Sequence, residues 1–184
     1  SDDIIVYGKD QQEHDKNLKA VVDRLESNNA KLNKEKCKFS KPQVQFYGHT
    51  FGKDGLAPDP RKIEALINAS PPKNQKEVKS LLGLASYVSR FIPQYATVTH
   101  PLRILTHQDS EWKWGKDEMA SFNRLKQILT NTKVMTYFDP RKATDVIVDA
   151  SPVGLGAMLC QDGKIISYAS RTLSDVESRY LQTE

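Results

Sequence analysis

Hydrophobic and polar residues follow two different spacings along the chain, and the spacing changes from one region to the next. An apolar run over Ile4–Tyr7 predicts a strand, and residues 13–30 follow with the spacing of an amphipathic helix. One face of this helix carries its apolar residues: Leu18, Val21, Val22 and Leu25. Two further runs, Val44–Phe51 and Gly55–Ala57, flank a glycine-containing turn and predict a hairpin.

The helical spacing dominates residues 59–130. Asp59 before Pro60 is typical of a helix that begins with a capping side chain and has proline at its first position. Asn74 and Glu77 have the spacing of a capping box, which predicts the start of the next helix. The helices predicted in this region cover residues 60–69, 74–91, 102–105 and 117–129.

From Asp139 onward the pattern returns to short apolar runs that are typical of strands. Three strands are predicted here, over residues 145–149, 156–161 and 164–170. Asp162–Gly163 joins the last two in a tight hairpin. Ser174 and Glu177 then have capping-box spacing and predict a helix. Three strands followed by a helix are typical of the start of a mixed-sheet α/β domain, so the chain as a whole is predicted to be α+β or mixed.

Composition narrows the class of protein. The chain has 184 residues with 38% hydrophobic and 27% charged residues, which is enough apolar material for a core and argues against disorder. Its apolar runs are far shorter than the roughly 20 residues that a membrane span needs. Cys37 and Cys160 have no partner at disulfide-framework or zinc-ligand spacing, which favours an intracellular protein with reduced thiols.

Two acidic features could carry chemistry. Asp2 and Asp3 are adjacent carboxylates, which can serve metal-dependent phosphoryl transfer, although a solvated charge pair is the commoner reason for such a pattern. Asp149 follows the apolar run Val146–Val148 and is predicted to be partly desolvated at the end of a central strand. A metal ion would compensate its charge, but a turn-capping aspartate before a glycine-containing loop is the more frequent explanation of this local pattern.

The strongest local charge bias lies at residues 31–41, where five lysines occur with one glutamate. With a formal net charge of +4, this run suits contact with a nucleic-acid backbone, and a solvated turn explains it equally well. Aromatic residues near the run either stack on sugars and bases or fill a core: Phe39, Phe46, Tyr47 and Phe51. The residues alone leave both alternatives open.

Several motifs occur in a fixed order, which makes the set more specific than any single member. In chain order they are Asp2–Tyr7, Phe46–His49, Leu81–Tyr87, Arg90–Pro93, His100–Leu102, Trp112–Trp114, Asp149–Ala157 and Ser170–Glu177. In this order they resemble the Pol polyprotein of gypsy-type LTR retrotransposons, from the reverse transcriptase into the ribonuclease H domain. The resemblance implies the end of the palm at 1–58, a helical thumb or connection at 59–138, and the start of a ribonuclease H-like domain at 139–184.

The same resemblance implies roles for particular residues. Asp2 and Asp3 would hold Mg²⁺ for DNA synthesis from a dNTP, and Asp149 would hold Mg²⁺ for cleavage of the RNA strand of a hybrid. Glu184 is a weak further candidate for a metal ligand. Contacts to an RNA–DNA hybrid or DNA duplex would come from the lysine run and from the primer-grip-like hairpin: Lys31, Lys34, Lys36, Lys38, Phe46, Tyr47, Gly48 and His49.

The sequence also departs from the family pattern. The third metal-binding aspartate of the polymerase is absent, and only Asp149 of the ribonuclease H carboxylates aligns securely. We therefore expect these 184 residues alone to catalyse neither reaction. A domesticated or degenerate element product that binds nucleic acid or assembles without catalysis is the alternative. The expected location is the cytoplasm, within virus-like particles, or the nucleus, with neither secretion nor membrane contact, and the oligomeric state stays open.

Overall fold

The computed structural model describes residues 3–108 and 110–179. Asp2, Glu184 and the end of the predicted C-terminal helix lie outside the described residues. Within the described part, the helices are α1 (Gln11–Ser27), α2 (Pro60–Ile67), α3 (Gln75–Tyr87), α4 (Tyr95–Ile104) and α5 (Lys116–Thr130). The strands are β1 (Gln43–Phe46), β2 (His49–Gly52), β3 (Gly55–Pro58), β4 (Asp145–Ser151), β5 (Gly154–Gln161) and β6 (Lys164–Thr172). Short 3₁₀ turns occupy Lys34–Lys36, Ser89–Phe91 and Glu177–Arg179.

Helix α1 forms as its apolar spacing predicts, but it buries no residue completely. The Asp10 side chain accepts a hydrogen bond from the Glu13 N–H at 2.8 Å and caps the helix. The predicted strand over Ile4–Tyr7 is wrong, because no described strand pairs with this segment and its backbone groups have no ladder to join. The segment instead has no regular secondary structure and contacts α1, where Asn17 Nδ2 donates to the Tyr7 carbonyl at 2.9 Å.

Strands β1, β2 and β3 form an antiparallel sheet in that order. The apolar run Val44–Phe51 is not one strand, as its pattern predicts, but two strands that fold back at Tyr47–Gly48. Both turn residues have positive φ, 46° at Tyr47 and 69° at Gly48, and turns of this kind match the twist of a two-residue hairpin. The predicted hairpin between β2 and β3 is confirmed, with Gly52 opposite Gly55.

The helical region forms the core of the molecule. Asp59 caps α2 with Pro60 at its first position, and Asn74 caps α3 by accepting a hydrogen bond from the Glu77 N–H at 2.9 Å, so both predicted caps are confirmed. Helices α2 to α5 then bury one continuous apolar cluster, whose fully buried members include Leu66, Val78, Val88, Ile92, Leu102, Leu125 and Leu129. Burial of this area supplies the main favourable free energy of folding.

Strand β3 closes this core from the side of the first sheet. Leu56 and Met135 pair through two backbone hydrogen bonds, of 2.7 and 2.8 Å, and both side chains belong to the core cluster. The next residue, Thr136, donates its N–H to the Ile165 carbonyl of β6 at 2.9 Å. The segment after α5 therefore ties the first sheet to the second.

Strands β4, β5 and β6 form the second antiparallel sheet, also in sequence order. The tight hairpin predicted at Asp162–Gly163 is confirmed, because both residues have positive φ, 49° and 68°. The capping box predicted at Ser174 is also confirmed: its N–H donates to Glu177 Oε2 at 2.8 Å, and its hydroxyl accepts from the Glu177 N–H at 3.4 Å.

Candidate nucleic-acid interface and acidic sites

The hairpin Phe46–His49 is held by two backbone contacts from the helical region. The Tyr87 hydroxyl at the end of α3 donates to the Tyr47 carbonyl at 3.0 Å. The backbone N–H of Asp59, the residue that caps α2, donates to the Gly48 carbonyl at 3.1 Å. These contacts leave the Tyr47 side chain 51% exposed at the tip, where an aromatic ring is available for stacking.

Cationic and imidazole groups surround the base of this hairpin. Lys62 Nζ lies 3.4 Å from the centroid of the Tyr87 ring, within the range of a cation–π interaction. His49 Nδ1 and Arg90 Nε are buried without a hydrogen-bond partner among the described residues. Neither Lys62 nor Arg90 forms an ion pair with a described acidic residue. Neither cation is therefore held in a direct ion pair, although the Asp59 carboxylate is close enough to interact electrostatically with Lys62.

The same surroundings keep His49 in its neutral form. Burial lowers the pKa of the His49 imidazole below its ordinary 6.5, and the positive charges of Arg90 and Lys62 lower it further. At neutral pH the imidazole therefore contributes hydrogen-bonding capacity rather than charge. Sequence reasoning selected His49 as a binding residue but overlooked Lys62 and Arg90, whose convergence on the hairpin depends on how α2 and α3 pack.

The lysine run is an exposed, irregular segment. Residues 31–41 are exposed except for the half-buried Cys37, and Lys34–Lys36 form one 3₁₀ turn that the Asn33 side chain caps. The side chains of Lys31, Lys34, Lys36 and Lys38 make no ion pair with a described acidic residue. Of the nearby aromatic residues, Phe51 packs against the core, while Phe39 is 53% exposed. The run is thus accessible to a polyanion.

Two of the predicted acidic site residues, Asp3 and Asp149, lie within the described part of the chain. Asp3 is exposed in the segment before α1. Asp149 is also exposed, which corrects the prediction of a partly desolvated carboxylate on a central strand. Among the described strands β4 is an edge strand, so even Val146, Ile147 and Val148 are 64, 52 and 73% exposed. Because the Asp149 carboxylate is exposed to water, its charge needs no compensating cation on account of burial.

Asp149 has one direct contact that the sequence did not indicate. Gln94 Nε2, from the residue preceding α4, donates to Asp149 Oδ2 at 2.5 Å. The two residues lie 55 positions apart in the chain, and no local pattern links them. A concave surface on the second sheet adjoins Asp149 and is lined by small and apolar residues, including Val148, Ala157 and Ala169.

Magnesium requires several converging oxygen ligands. Across residues 3–108 and 110–179, no group of three or more His, Cys, Asp or Glu side chains is placed to hold a metal ion. Asp3 and Asp149 therefore do not form such a ligand group with the other described residues. In the same described ranges, no helix has the length and apolar character that crossing a membrane requires.

The described residues thus form two three-stranded antiparallel sheets on either side of a helical region, the mixed α and β arrangement that the family resemblance implies. Residues 1–51 match the family described as "Reverse transcriptase (RNA-dependent DNA polymerase)". Residues 114–184 match "RNase H-like domain found in reverse transcriptase". The chain belongs to the reverse transcriptase and ribonuclease H region of retrotransposon polyproteins, which confirms the family predicted from its motifs.

Curated relatives agree with this family. The chain is 34% identical to the Transposon Tf2-3 polyprotein of Schizosaccharomyces pombe, in an alignment that covers 97% of the chain and 14% of the relative. The Transposon Tf2-7 polyprotein of the same organism gives the same identity and coverage. The chain thus spans about one seventh of the length of these polyproteins.

Solved structures support the fold. The foamy viral protease-reverse transcriptase in complex with an RNA/DNA hybrid matches 96% of this chain and 25% of its own, with a TM-score of 0.79 and 22% identity. The foamy viral protease-reverse transcriptase dRH in complex with double-stranded DNA matches 96% of this chain and 32% of its own, with a TM-score of 0.81 and 22% identity. These matches confirm the predicted mixed α/β class.

Proposed function

We propose that this chain is the duplex-contacting section of an RNA-directed DNA polymerase with ribonuclease H, and that it binds an RNA–DNA hybrid or a DNA duplex. The observation that carries the proposal is the hairpin Phe46–His49, which two contacts hold on the helical core beside Lys62 and Arg90, neither of which forms an ion pair with a described acidic residue. An exposed aromatic tip beside fixed positive charge suits a nucleic-acid end, since rings stack on bases and cations attract phosphates.

We propose further that polymerisation and hybrid cleavage belong to the longer polyprotein and not to these 184 residues alone. The described residues place no three acidic or other ligand side chains together, although two-metal phosphoryl transfer needs several carboxylates. Asp2 and Asp3 would contribute to one site and Asp149 to the other. Mg²⁺ and dNTP would be bound by the complete enzyme, and virus-like particles are the proposed setting.

Binding is tested by the salt dependence of affinity for a hybrid duplex. We expect log K to fall linearly with log salt concentration for the native chain, with a slope of about 0.9 for each phosphate neutralised. Changing Lys31, Lys34, Lys36 and Lys38 to Gln should reduce this slope by roughly 3.6 if each lysine contacts one phosphate.

A matched control separates local contact from net charge. The control variant changes four exposed lysines outside the run to Gln and so lowers the net charge by the same amount. These lysines are Lys113, Lys116, Lys133 and Lys164. We expect this control to keep most of the slope. Equal losses in both variants would contradict a specific role for the run, and no binding of the native chain at low salt would overturn the proposal.

A non-catalytic nucleic-acid-binding module is the second candidate, and the absence of a three-ligand group among the described residues favours it for the chain alone. Primer extension and hybrid cleavage with Mg²⁺ distinguish the two for the natural protein. If the open reading frame that contains this chain encodes no further acidic motifs on either side, the enzyme proposal fails and the binding module stands.

A further inference from the structure

The start of helix α4 contacts the second sheet at three neighbouring positions. Gln94 Nε2 donates to Asp149 Oδ2, and the Ala96 N–H donates to the Ser170 hydroxyl oxygen at 2.9 Å. At the next residue, Thr97 Oγ1 and Ser151 Oγ lie 2.9 Å apart in a third hydrogen bond. Asp149, Gly156 and Ser170 are consecutive cross-strand partners, so their side-chain positions share one face of the sheet.

Two glycines allow this close approach. A Cβ atom added to Gly156 would lie 3.3 Å from Gln94 Cγ, and one added to Gly154 would lie 3.3 Å from the Ala96 Cβ. The aliphatic part of Gln94 is therefore packed directly over Gly156, which limits the positions that its amide can reach. Asp149 is opposite Gly156 in the ladder, so the Gln94 side-chain amide lies next to the Asp149 carboxylate.

The backbone of Gln94 has an unusual conformation at this contact. Its φ of 49° and ψ of 38° lie in the left-handed region, which residues other than glycine rarely adopt. Gln94 precedes α4 as its N-cap, yet its side chain makes no capping hydrogen bond to the helix. The side chain reaches across to the sheet instead.

We propose that Gln94 is a positioning residue for Asp149, which fixes the orientation of that carboxylate through Oδ2. The inference rests on the proposed ribonuclease H role of Asp149. Among the described residues, Asp149 Oδ1 accepts no hydrogen bond and stays available. Because the donor is a neutral amide, the contact orients the carboxylate without cancelling its charge. The position of the start of α4 thereby affects the orientation of Asp149, the carboxylate proposed for the ribonuclease H site.

The orientation is tested by NMR on the 184-residue chain. In the native protein, the Hα–Hβ couplings of Asp149 should report one χ1 rotamer. Gln94→Met keeps the aliphatic packing over Gly156 but removes the donor, so these couplings should average over several rotamers. The same averaging in the native chain, or a single rotamer retained in Gln94→Met, would overturn the proposal.

Thr97→Val is the matched control. It removes a hydrogen bond from the same interface, between Thr97 and Ser151, but leaves Gln94 and Asp149 in contact. We expect the Asp149 couplings of this variant to equal those of the native chain. If Thr97→Val averages them as strongly as Gln94→Met, Gln94 acts only through general docking of α4 and the positioning role is wrong.

The functional consequence is measured in a polyprotein long enough to cleave a hybrid. Gln94→Met should lower kcat for cleavage on the order of tenfold, as is typical when a residue that orients an active-site ligand is lost, while Thr97→Val should leave kcat nearly unchanged. An unchanged kcat in Gln94→Met would contradict the positioning role. A native polyprotein that cleaves no hybrid would overturn the proposed function instead, and the NMR result would still decide the orientation.

Discussion

The two sheets of this chain share a topology, but they relate differently to the core. Each is an antiparallel arrangement of three strands in sequence order, and each contains a two-residue turn with positive φ at both positions. In the first sheet, β3 inserts Leu56 into the core and the turn at Tyr47–Gly48 is held by Tyr87. In the second, β4 is an exposed edge strand and the turn at Asp162–Gly163 has open space around its glycine. Strand order alone therefore does not determine which residues carry stability.

The largest expected difference comes from one apolar residue in each sheet. Leu56→Ala should lower the free energy of unfolding by about 2–4 kcal/mol, because it leaves a cavity at a side chain that is only 6% exposed. Val148→Ala removes a side chain that is 73% exposed and should cost less than about 0.5 kcal/mol. Urea unfolding of both variants measures the difference, and equal costs would contradict the contrast between the sheets.

The two turn glycines give a closer comparison because their φ values are 69° and 68°. Alanine at either position should cost about 1 kcal/mol for the left-handed backbone. At Gly48 the new Cβ would also lie 2.4 Å from Tyr87 Cε1, whereas nothing lies within 4 Å at Gly163. We expect Gly48→Ala to cost at least about 2 kcal/mol in thermal unfolding, given the additional overpacking. A Gly163→Ala variant that is destabilised as much would show that the Tyr87 contact is unimportant.

A smaller effect isolates the hydrogen bond that holds the first turn. Tyr87→Phe removes the donor to the Tyr47 carbonyl but keeps the ring beneath Lys62, and it should cost about 1 kcal/mol. Tyr168→Phe in β6 is the control, since the Tyr168 hydroxyl makes no hydrogen bond to a described residue. Amide exchange at residues 46–49 should accelerate in Tyr87→Phe only. Unchanged amide exchange at residues 46–49 in Tyr87→Phe would show that this hydrogen bond does not hold the hairpin.

The smallest expected difference between the two sheets is in how their stability depends on pH. The pKa of His49 lies below 6.5, so the unfolded chain gains a proton that the folded hairpin does not, and stability falls as the pH drops below 6.5. The hydrogen bond from Arg171, and then those from Ser174, lower the pKa of Glu177 from 4.5 to about 2. Its contribution is therefore complete above pH 4.5 and is lost as the pH falls towards 2.

Amide exchange across a pH series checks this order. The hairpin should lose protection first, and the corner between β6 and Glu177 should lose it only in the more acidic range. His49→Gln should abolish the first loss and preserve the second. Simultaneous loss of protection in both places would show that the two sheets open as one unit, contrary to the expected sequence of events.

Local signals account for what the sequence predicted correctly. The caps at Asp59, Asn74 and Ser174 and the turn at Asp162–Gly163 depend on residues within a few positions of one another, and all four are confirmed. Ordered motifs likewise identified the family, because their combination constrains many positions at once.

Non-local geometry accounts for what the sequence missed. The apolar spacing alone predicted one strand through Tyr47, whereas the motif Phe46–His49 implied a hairpin there through the family resemblance, and the structure contains that hairpin. The spacing misses the bend because tyrosine normally favours strands and the contact that holds the turn comes from the helical region. The exposure of Asp149 follows from the edge position of β4 among the described strands, and its contact with Gln94 depends on how α4 docks on the second sheet. The strand predicted over Ile4–Tyr7 failed for a related reason, since a strand requires a partner that no local pattern reveals.

The pairing of Leu56 with Met135 also has a kinetic consequence. These residues bracket helices α2 to α5, so their two backbone hydrogen bonds form only after the whole helical region has been synthesised. Helices of local sequence fold in microseconds, whereas contacts between distant residues first require closure of a long loop. During translation, β3 therefore cannot pair with Met135 until that residue, which lies beyond the end of α5, has been synthesised, and the first sheet is joined to its partner segment only then.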